Sequence, residues 1–205
     1  MGQLARERRD IIILSFPVDI WDYIGWKDTL AKPEFTARQR HYSQTRGDHQ
    51  VYTPQAVVDG AAHAVGSDKQ HLLALVDELE PARKALGASL RITERDGMLI
   101  ADLDAGDPGA GSGDVARGAG VWLLRVVRAR TIAIGRGEND GRRVTYTNVV
   151  RSMVRMGHWM GAAARFEMPL AEARGDDGEG YVVIVQKNMG EVLGPVLAAA
   201  RSGNL

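Results

Sequence analysis

The sequence of 205 residues predicts an α+β protein in which a mixed half precedes a β-rich half. Up to about residue 86, short apolar runs alternate with stretches of helical period, which favours strands and helices in turn. From residue 87 onward, turn signals recur between strand-like runs and helical patterns are few, as in an antiparallel sandwich. We therefore predict two domains, residues 1–86 and residues 87–205.

The first half begins with a predicted strand and a predicted helix. Ile11–Phe16 is a β-branched apolar run of the kind found in buried strands of parallel sheets. Pro33 suits the first turn of a helix, and the pattern extends to about Gln44. We expect Phe35 and Tyr42 to lie on the inner side of this helix.

A hairpin and a second helix complete the first half. Asp59-Gly60 is a typical turn of tight hairpins, and it joins predicted strands at Val51–Val58 and Ala61–Val65. Ser67–Gln70 has the spacing of a capping box. The helix that follows is expected to end at Pro81 or at the glycine six residues later.

The second half is predicted to consist of strands separated by glycine-rich loops. The predicted strands are Leu90–Thr93, Met98–Leu103, Val121–Ile134, Val144–Val150, Ala162–Met168 and Tyr181–Gln186. Asp96-Gly97 predicts a hairpin between the first two of them. Ala105–Gly120 and Arg174–Gly180 are expected to form polar loops, the first of them mobile.

Composition excludes several classes of function. The sequence has no cysteine, which rules out a disulfide scaffold, a cysteine nucleophile and a thiolate metal site within these residues. Twenty-six basic residues balance 26 acidic ones, so no global field favours nucleic acid or an anionic membrane. No apolar run approaches the roughly 18 residues that span a bilayer or forms a signal-peptide core, and we expect no membrane partner.

Metal and nucleic-acid sites are not predicted either. The five histidines lack the HxH and HExxH spacings, so we expect no metal and no cofactor. Residues 121–165 carry nine arginines against two acidic residues, a local excess of seven positive charges. Because these arginines alternate with apolar residues, the solvated face of a sheet is favoured over a nucleic-acid surface.

A dense aromatic cluster follows the first predicted strand. Its aromatic members are Phe16, Trp21, Tyr23 and Trp26, and Asp19, Asp22 and Asp28 lie among or beside them. The carboxyl end of a strand is where α/β sheets usually bind ligands, and two carboxylates three residues apart are suited to acid–base work. The alternative interpretation is that the aromatics cover a sheet edge while the aspartates cap turns.

Thr53 and Pro54 form a second candidate feature, because a proline inside a strand costs a ladder hydrogen bond. A tight hairpin follows this strand and places it near the centre of its sheet. A cis bond that presents the Thr53 backbone toward a ligand therefore fits the pattern, with an ordinary edge-strand proline as the alternative.

These segments resemble a known family. SFPVDIWDYIGWKDTLAKPEFTARQRHYSQ, VYTPQAVVDG and AVGSD, followed by GRGENDGRRVTYTNVVRSMVRMGHWMG, YVVIVQ and GPVLAAA, closely resemble the exported bacterial family named domain of unknown function 1223. The resemblance covers nearly all of the chain. It implies a thioredoxin-like first domain, a β-rich second part and a periplasmic location. It also implies that Pro54 is cis and that Thr53 and Pro54 form the rim of the site.

The departures from the family pattern concern its redox centre. Members usually carry a strand and a C-x-x-C segment just before the region that matches Met1, and MGQLARERRD resembles the tail of the next helix. The family's usual His and Tyr are Pro17 and Ile20 here. A sheet without that central strand has two unpaired inner edges. We therefore expect an N-terminally truncated domain whose first half folds poorly alone or pairs strands with a second copy.

Two functions from different classes follow. In the first, a pocket formed by Asp19, Trp21, Asp22, Trp26, Thr53 and Pro54 binds a peptide or small molecule without catalysis. In the second, the chain is a fragment of an exported thiol-disulfide oxidoreductase-like protein whose C-x-x-C lies upstream. The binding module is favoured, because these residues form no thiolate and no catalytic residue is identified.

Overall fold

The computed structural model describes residues 2–24, 27–85, 88–108, 118–135, 141–175, 179–189 and 192–205. It mixes helices and antiparallel sheets, with 25% helix and 43% strand, which confirms the predicted α+β class.

The elements follow one another in the order α1, α2, β1, β2, α3, β3 to β7, α4, β8 and β9. The helices are α1 (Gly2–Glu7), α2 (Pro33–Arg46), α3 (Lys69–Ala85) and α4 (Leu170–Arg174), with a 3-10 turn at Asp22–Ile24. The strands are β1 (Gln55–Val58), β2 (Ala62–Val65), β3 (Leu90–Arg95), β4 (Met98–Leu103), β5 (Ala119–Ala133), β6 (Arg143–Trp159), β7 (Ala164–Pro169), β8 (Gly180–Met189) and β9 (Val192–Arg201). They form three antiparallel sheets, β1-β2, β3-β4-β7 and β6-β5-β8-β9.

The four-stranded sheet is buried on both faces. On one face, Leu123 of β5 and Val183 of β8 share a core with Leu99 of the three-stranded sheet. On the other face, Leu124 and its neighbours pack against Phe35 of α2. A strand covered on both faces needs apolar residues at successive positions, which explains the apolar runs Val121–Leu124 of β5 and Tyr181–Val185 of β8.

The predicted strand at Ile11–Phe16 is wrong. The segment has a single parallel bridge, between Ser15 and Val149 of β6. Ile12, Leu14 and Phe16 instead pack in the core with Phe35, on a face of the four-stranded sheet. The run is apolar because it covers a sheet. The side chains that cover a sheet are buried against it, so they are apolar like those of a strand within the sheet.

Two helices differ in detail from their predictions. The helix predicted at Pro33 is confirmed and continues to Arg46, and its residues Phe35 and Tyr42 are buried. In α3, the Asp68 carboxylate accepts a hydrogen bond of 3.0 Å from the His71 N–H, so the cap lies one residue later than the predicted box. Pro81 lies inside α3 and does not end it.

Turn chemistry predicted the hairpins correctly. The β1-β2 and β3-β4 hairpins turn at Asp59-Gly60 and Asp96-Gly97, although β1 begins four residues later than expected. In the second half, every predicted strand is confirmed, Met98–Leu103 with the predicted bounds and the others with shifted ends. Ala119 and Gly120, expected in a loop, begin β5, and β9 was not predicted. The rest of the two predicted loops includes residues 109–117 and 176–178, which lie outside the described residues. The division into two domains stays a prediction.

Candidate functional site

The structure brings together two of the features that the sequence singled out. The Trp21 indole Nε1 donates a hydrogen bond of 2.7 Å to the Thr53 hydroxyl, across 32 residues of sequence. Trp21 lies between the extended N-terminal segment and the 3-10 turn, and Thr53 lies just before β1. The bond therefore joins the aromatic segment to the start of the hairpin.

The Thr53–Pro54 peptide bond is cis, and both residues are exposed. The Pro54 carbonyl accepts a hydrogen bond of 2.8 Å from the Gly66 N–H, which fixes the base of the hairpin. Within the described part of the chain, neither the N–H nor the carbonyl of Thr53 has a hydrogen-bond partner. These two backbone groups belong to an exposed residue that is bonded to the Trp21 indole through its side chain.

The aromatic rings of Trp21 and Tyr23 are exposed in this region. Trp21 is 46% exposed and Tyr23 is 78% exposed. Their ring centroids lie 6.3 Å apart with an interplanar angle of 32°. A pair of exposed aromatic rings offers apolar area that packs well against other flat or apolar groups. We call Trp21, Tyr23, Thr53 and Pro54 the Trp21–Thr53 surface.

The two predicted carboxylates, Asp19 and Asp22, make hydrogen bonds with nearby residues of the chain. The Asp19 carboxylate accepts a hydrogen bond from the Thr36 hydroxyl at the start of α2. The Asp22 carboxylate accepts one of 3.3 Å from the Asp28 N–H, and the Asp22 N–H donates to the Asp19 carbonyl at 3.1 Å. Both side chains therefore support the turn that carries Trp21. Trp26, the remaining predicted site residue, lies outside the described residues.

Asp28, which lies beside the aromatic cluster in sequence, forms a buried pair with Tyr146 that the sequence did not predict. The carboxylate of Asp28 is buried and accepts hydrogen bonds from the Tyr146 hydroxyl at 2.7 Å and from the Leu30 N–H at 2.8 Å. Burial and the bond to Asp28 raise the pKa of Tyr146 well above its usual range. No local pattern links residues 118 positions apart, so only the fold reveals the pair.

Replacing Tyr146 with phenylalanine is expected to lower the free energy of unfolding at neutral pH by about 1 to 3 kcal/mol, because buried Asp28 loses a donor. A raised folded-state pKa means that the neutral phenol stabilises the fold below pH ~10 and that this contribution is lost as pH rises further. The difference in the free energy of unfolding between wild type and variant, measured by urea titration, should therefore become smaller above pH ~10. Tyr23→Phe, at an exposed position, is the matched control, and a gap that stays constant with pH would contradict the coupling.

Metal-binding clusters and membrane-spanning helices were sought in the part of the chain that the structure describes. No group of three histidine or acidic side chains is placed to hold a metal ion there. Of the helices in the same residues, none is long and apolar enough to cross a membrane.

Comparisons with known proteins bear on the family and the fold. Residues 1–186 match the family described as "Protein of unknown function (DUF1223)". The crystal structure of a protein from Agrobacterium tumefaciens is similar, with a TM-score of 0.80 and 24% sequence identity. The alignment covers 97% of this chain and 82% of that one, so the two share a fold. A comparison with curated proteins found no match.

Proposed function

Since the chain belongs to the DUF1223 family, whose description names no activity, we propose that it is a non-catalytic binding module whose Trp21–Thr53 surface holds an extended peptide. The observation that carries this proposal is the hydrogen bond between the Trp21 indole and the Thr53 hydroxyl. It fixes an exposed aromatic ring beside two backbone groups that have no partner among the described residues.

An extended peptide matches this surface in two respects. Its backbone can exchange hydrogen bonds with the N–H and carbonyl of Thr53, as in strand addition. Its side chains can pack against Trp21 and Tyr23, which offer large apolar area at little cost in conformational entropy. A peptide of mixed sequence suits such a surface, because the backbone bonds are independent of side-chain identity.

The other predicted site residues have supporting roles in this proposal. Asp19 and Asp22 hold the turn that carries Trp21, through their bonds to Thr36 and Asp28. A thioredoxin-like first domain, which the family resemblance implies, is also part of this proposal. In such a domain Thr53 and Pro54 would form the rim that positions a bound chain. The 205 residues contain no cysteine, so a thiol-disulfide step would need a thiol from outside them.

Binding of an unfolded chain tests the proposal. Fluorescein-labelled, reduced and carboxymethylated α-lactalbumin is the probe, and fluorescence anisotropy is the measurement. We expect wild type to bind and Trp21→Ala to weaken binding by about tenfold or more, because an aromatic anchor is lost. Thr53→Val should give a smaller loss, because it removes only the hydroxyl that orients the indole.

Met160→Ala is the control, since Met160 is also an exposed apolar side chain but is not part of the Trp21–Thr53 surface. Its affinity for the probe should equal that of wild type. Failure of wild type to bind, or equal weakening by Met160→Ala and Trp21→Ala, would overturn the proposal. Circular dichroism of each variant separates loss of binding from loss of fold.

A further inference from the structure

A cleft beside helix α2 is separate from the Trp21–Thr53 surface and shares no lining residue with it. Its volume is about 370 Å³, which lies within the range of small-molecule pockets. The residues that form most of its wall are Phe35, Ala37, Arg38, Trp122, Met153 and Leu193. The wall is largely apolar, and its charged or titratable members are Arg38, Glu34 and His41. We call this cavity the Arg38 cleft.

Arg38 is a buried cation whose hydrogen-bond and ring partners among the described residues are neutral. It is only 9% exposed, and its Nη2 donates hydrogen bonds of 2.6 Å to the Tyr42 hydroxyl and 2.7 Å to the Gln186 side-chain oxygen. Its guanidinium carbon lies 5.3 Å from the centre of the Phe16 ring and 5.1 Å from that of Tyr42. Both rings attract a cation through their faces, yet neither carries a charge.

No carboxylate neutralises this guanidinium in the part of the chain that the structure describes. The acidic side chain that lines the cleft, Glu34, is mostly exposed and lies 3.5 Å from the Lys32 ammonium. Burial accordingly lowers the pKa of Arg38, although an arginine remains charged at any physiological pH. A buried charge without a counter-ion is costly, and proteins usually pair such groups.

The guanidinium also retains donors for a further acceptor. Its hydrogen bonds to described residues all come from Nη2, which leaves Nε and Nη1 without such a partner. An anion in the cleft would accept from these groups and neutralise the buried charge, and charge-assisted bonds of this kind are about twice as strong as neutral ones. The surrounding rings and aliphatic chains would meanwhile cover an apolar body.

We propose that the Arg38 cleft binds a small organic monocarboxylate, with the carboxylate on Arg38 and an aliphatic or aromatic body against Phe35, Trp122 and Met153. One guanidinium matches one negative charge. Glu34 at the same wall disfavours a dianion such as phosphate. The inference goes beyond the peptide-binding proposal and does not depend on it.

Titration calorimetry with sodium octanoate and with 1-octanol tests the proposal on the wild-type chain. The two probes share an eight-carbon body and differ in charge. We expect octanoate to bind at one site, about tenfold to one-hundredfold more tightly than octanol, because a charge-assisted hydrogen bond is lost with the alcohol. Inorganic phosphate should not bind in the same concentration range. Equal affinities for octanoate and octanol, or binding of phosphate in preference to octanoate, would overturn the proposal.

Two variants and a matched control locate the site. Arg38→Met should reduce octanoate affinity to that of octanol, because it keeps the length of the side chain and removes its charge. Arg40→Met, the same change at an exposed position of α2, should leave the affinity unchanged, and an equal loss there would contradict the assignment. Ala37→Trp should abolish binding of both probes by filling the cleft while keeping Arg38. This second variant decides the question if Arg38→Met does not fold, and retained binding in it would place octanoate elsewhere.

Discussion

Replacing Trp159 with alanine is expected to lower the free energy of unfolding by about 3 to 5 kcal/mol. Trp159 is only 1% exposed and belongs to the core shared by the three-stranded and four-stranded sheets. The change removes a large apolar surface and leaves a cavity that two sheets held by backbone ladders cannot easily close. It also removes the 2.7 Å hydrogen bond from the Trp159 Nε1 to the Ala162 carbonyl.

The next residue in the chain supplies the control. Met160 is 64% exposed, so Met160→Ala should change the free energy of unfolding by no more than about 0.5 kcal/mol. Urea unfolding followed by circular dichroism measures both variants, and a shift of the midpoint at unchanged slope identifies a change in stability. Similar midpoints for the two variants would mean that Trp159 does not contribute to the shared core as described.

Features encoded by a few neighbouring residues were predictable from the sequence. Asp59-Gly60 and Asp96-Gly97 favour positive φ at both positions, and each forms the expected hairpin turn. The helix at Pro33 was predictable for the same reason, because its first turn and its buried positions lie within one short segment. Local backbone preference is sufficient in such cases, since no distant residue has to be known.

Features that depend on distant partners were not predictable. The apolar run at Ile11–Phe16 is compatible both with a strand inside a sheet and with a segment that lies over a sheet. Only its single bridge to Val149 and its core shared with Phe35 distinguish these two structures. The bond between Trp21 and Thr53 belongs to the same class, since both residues were chosen separately and their contact depends on the fold. Strand β9 contains a glycine, a proline and three successive alanines, which are depleted in strands, and so gave no strong strand pattern.

The burial of Arg38 could have been predicted from its position in the sequence. It follows Phe35 by three residues and precedes Tyr42 by four, so all three lie on one face of a helix. Because Phe35 and Tyr42 were expected to face inward, the same spacing predicts a buried arginine between them. A buried arginine is uncommon enough to indicate a bound anion or an ion pair. Helical periodicity applied to charged residues would therefore have identified Arg38 as a buried residue, although not the cleft, whose wall includes residues of distant strands.

The second large effect is expected for Gly60→Ala, which should lower the free energy of unfolding by about 2 to 4 kcal/mol. Gly60 has a φ of 72°, where a Cβ is disfavoured, and an added Cβ would lie 2.8 Å from the Gly194 carbonyl oxygen and 3.0 Å from the Tyr42 ring. The backbone carbonyl cannot move away cheaply, because the adjoining strand is fixed by the 2.8 Å bond from the Val196 N–H to the Asp59 carbonyl. The hairpin would therefore separate from β9 and α2.

Gly97→Ala isolates the part of this loss that comes from close packing. Gly97 occupies the same position in an Asp-Gly turn, with a φ of 75°, and an added Cβ there would meet no atom within 4 Å. Its alanine variant should lose only about 1 to 2 kcal/mol, the cost of the left-handed backbone alone. The difference between the two variants in the free energy of unfolding measures how closely Gly60 packs against Gly194 and Tyr42. Equal losses would show that this contact does not stabilise the fold, whereas a larger loss at Gly60 would mean that the hairpin carrying Thr53 and Pro54 is held in place from β9.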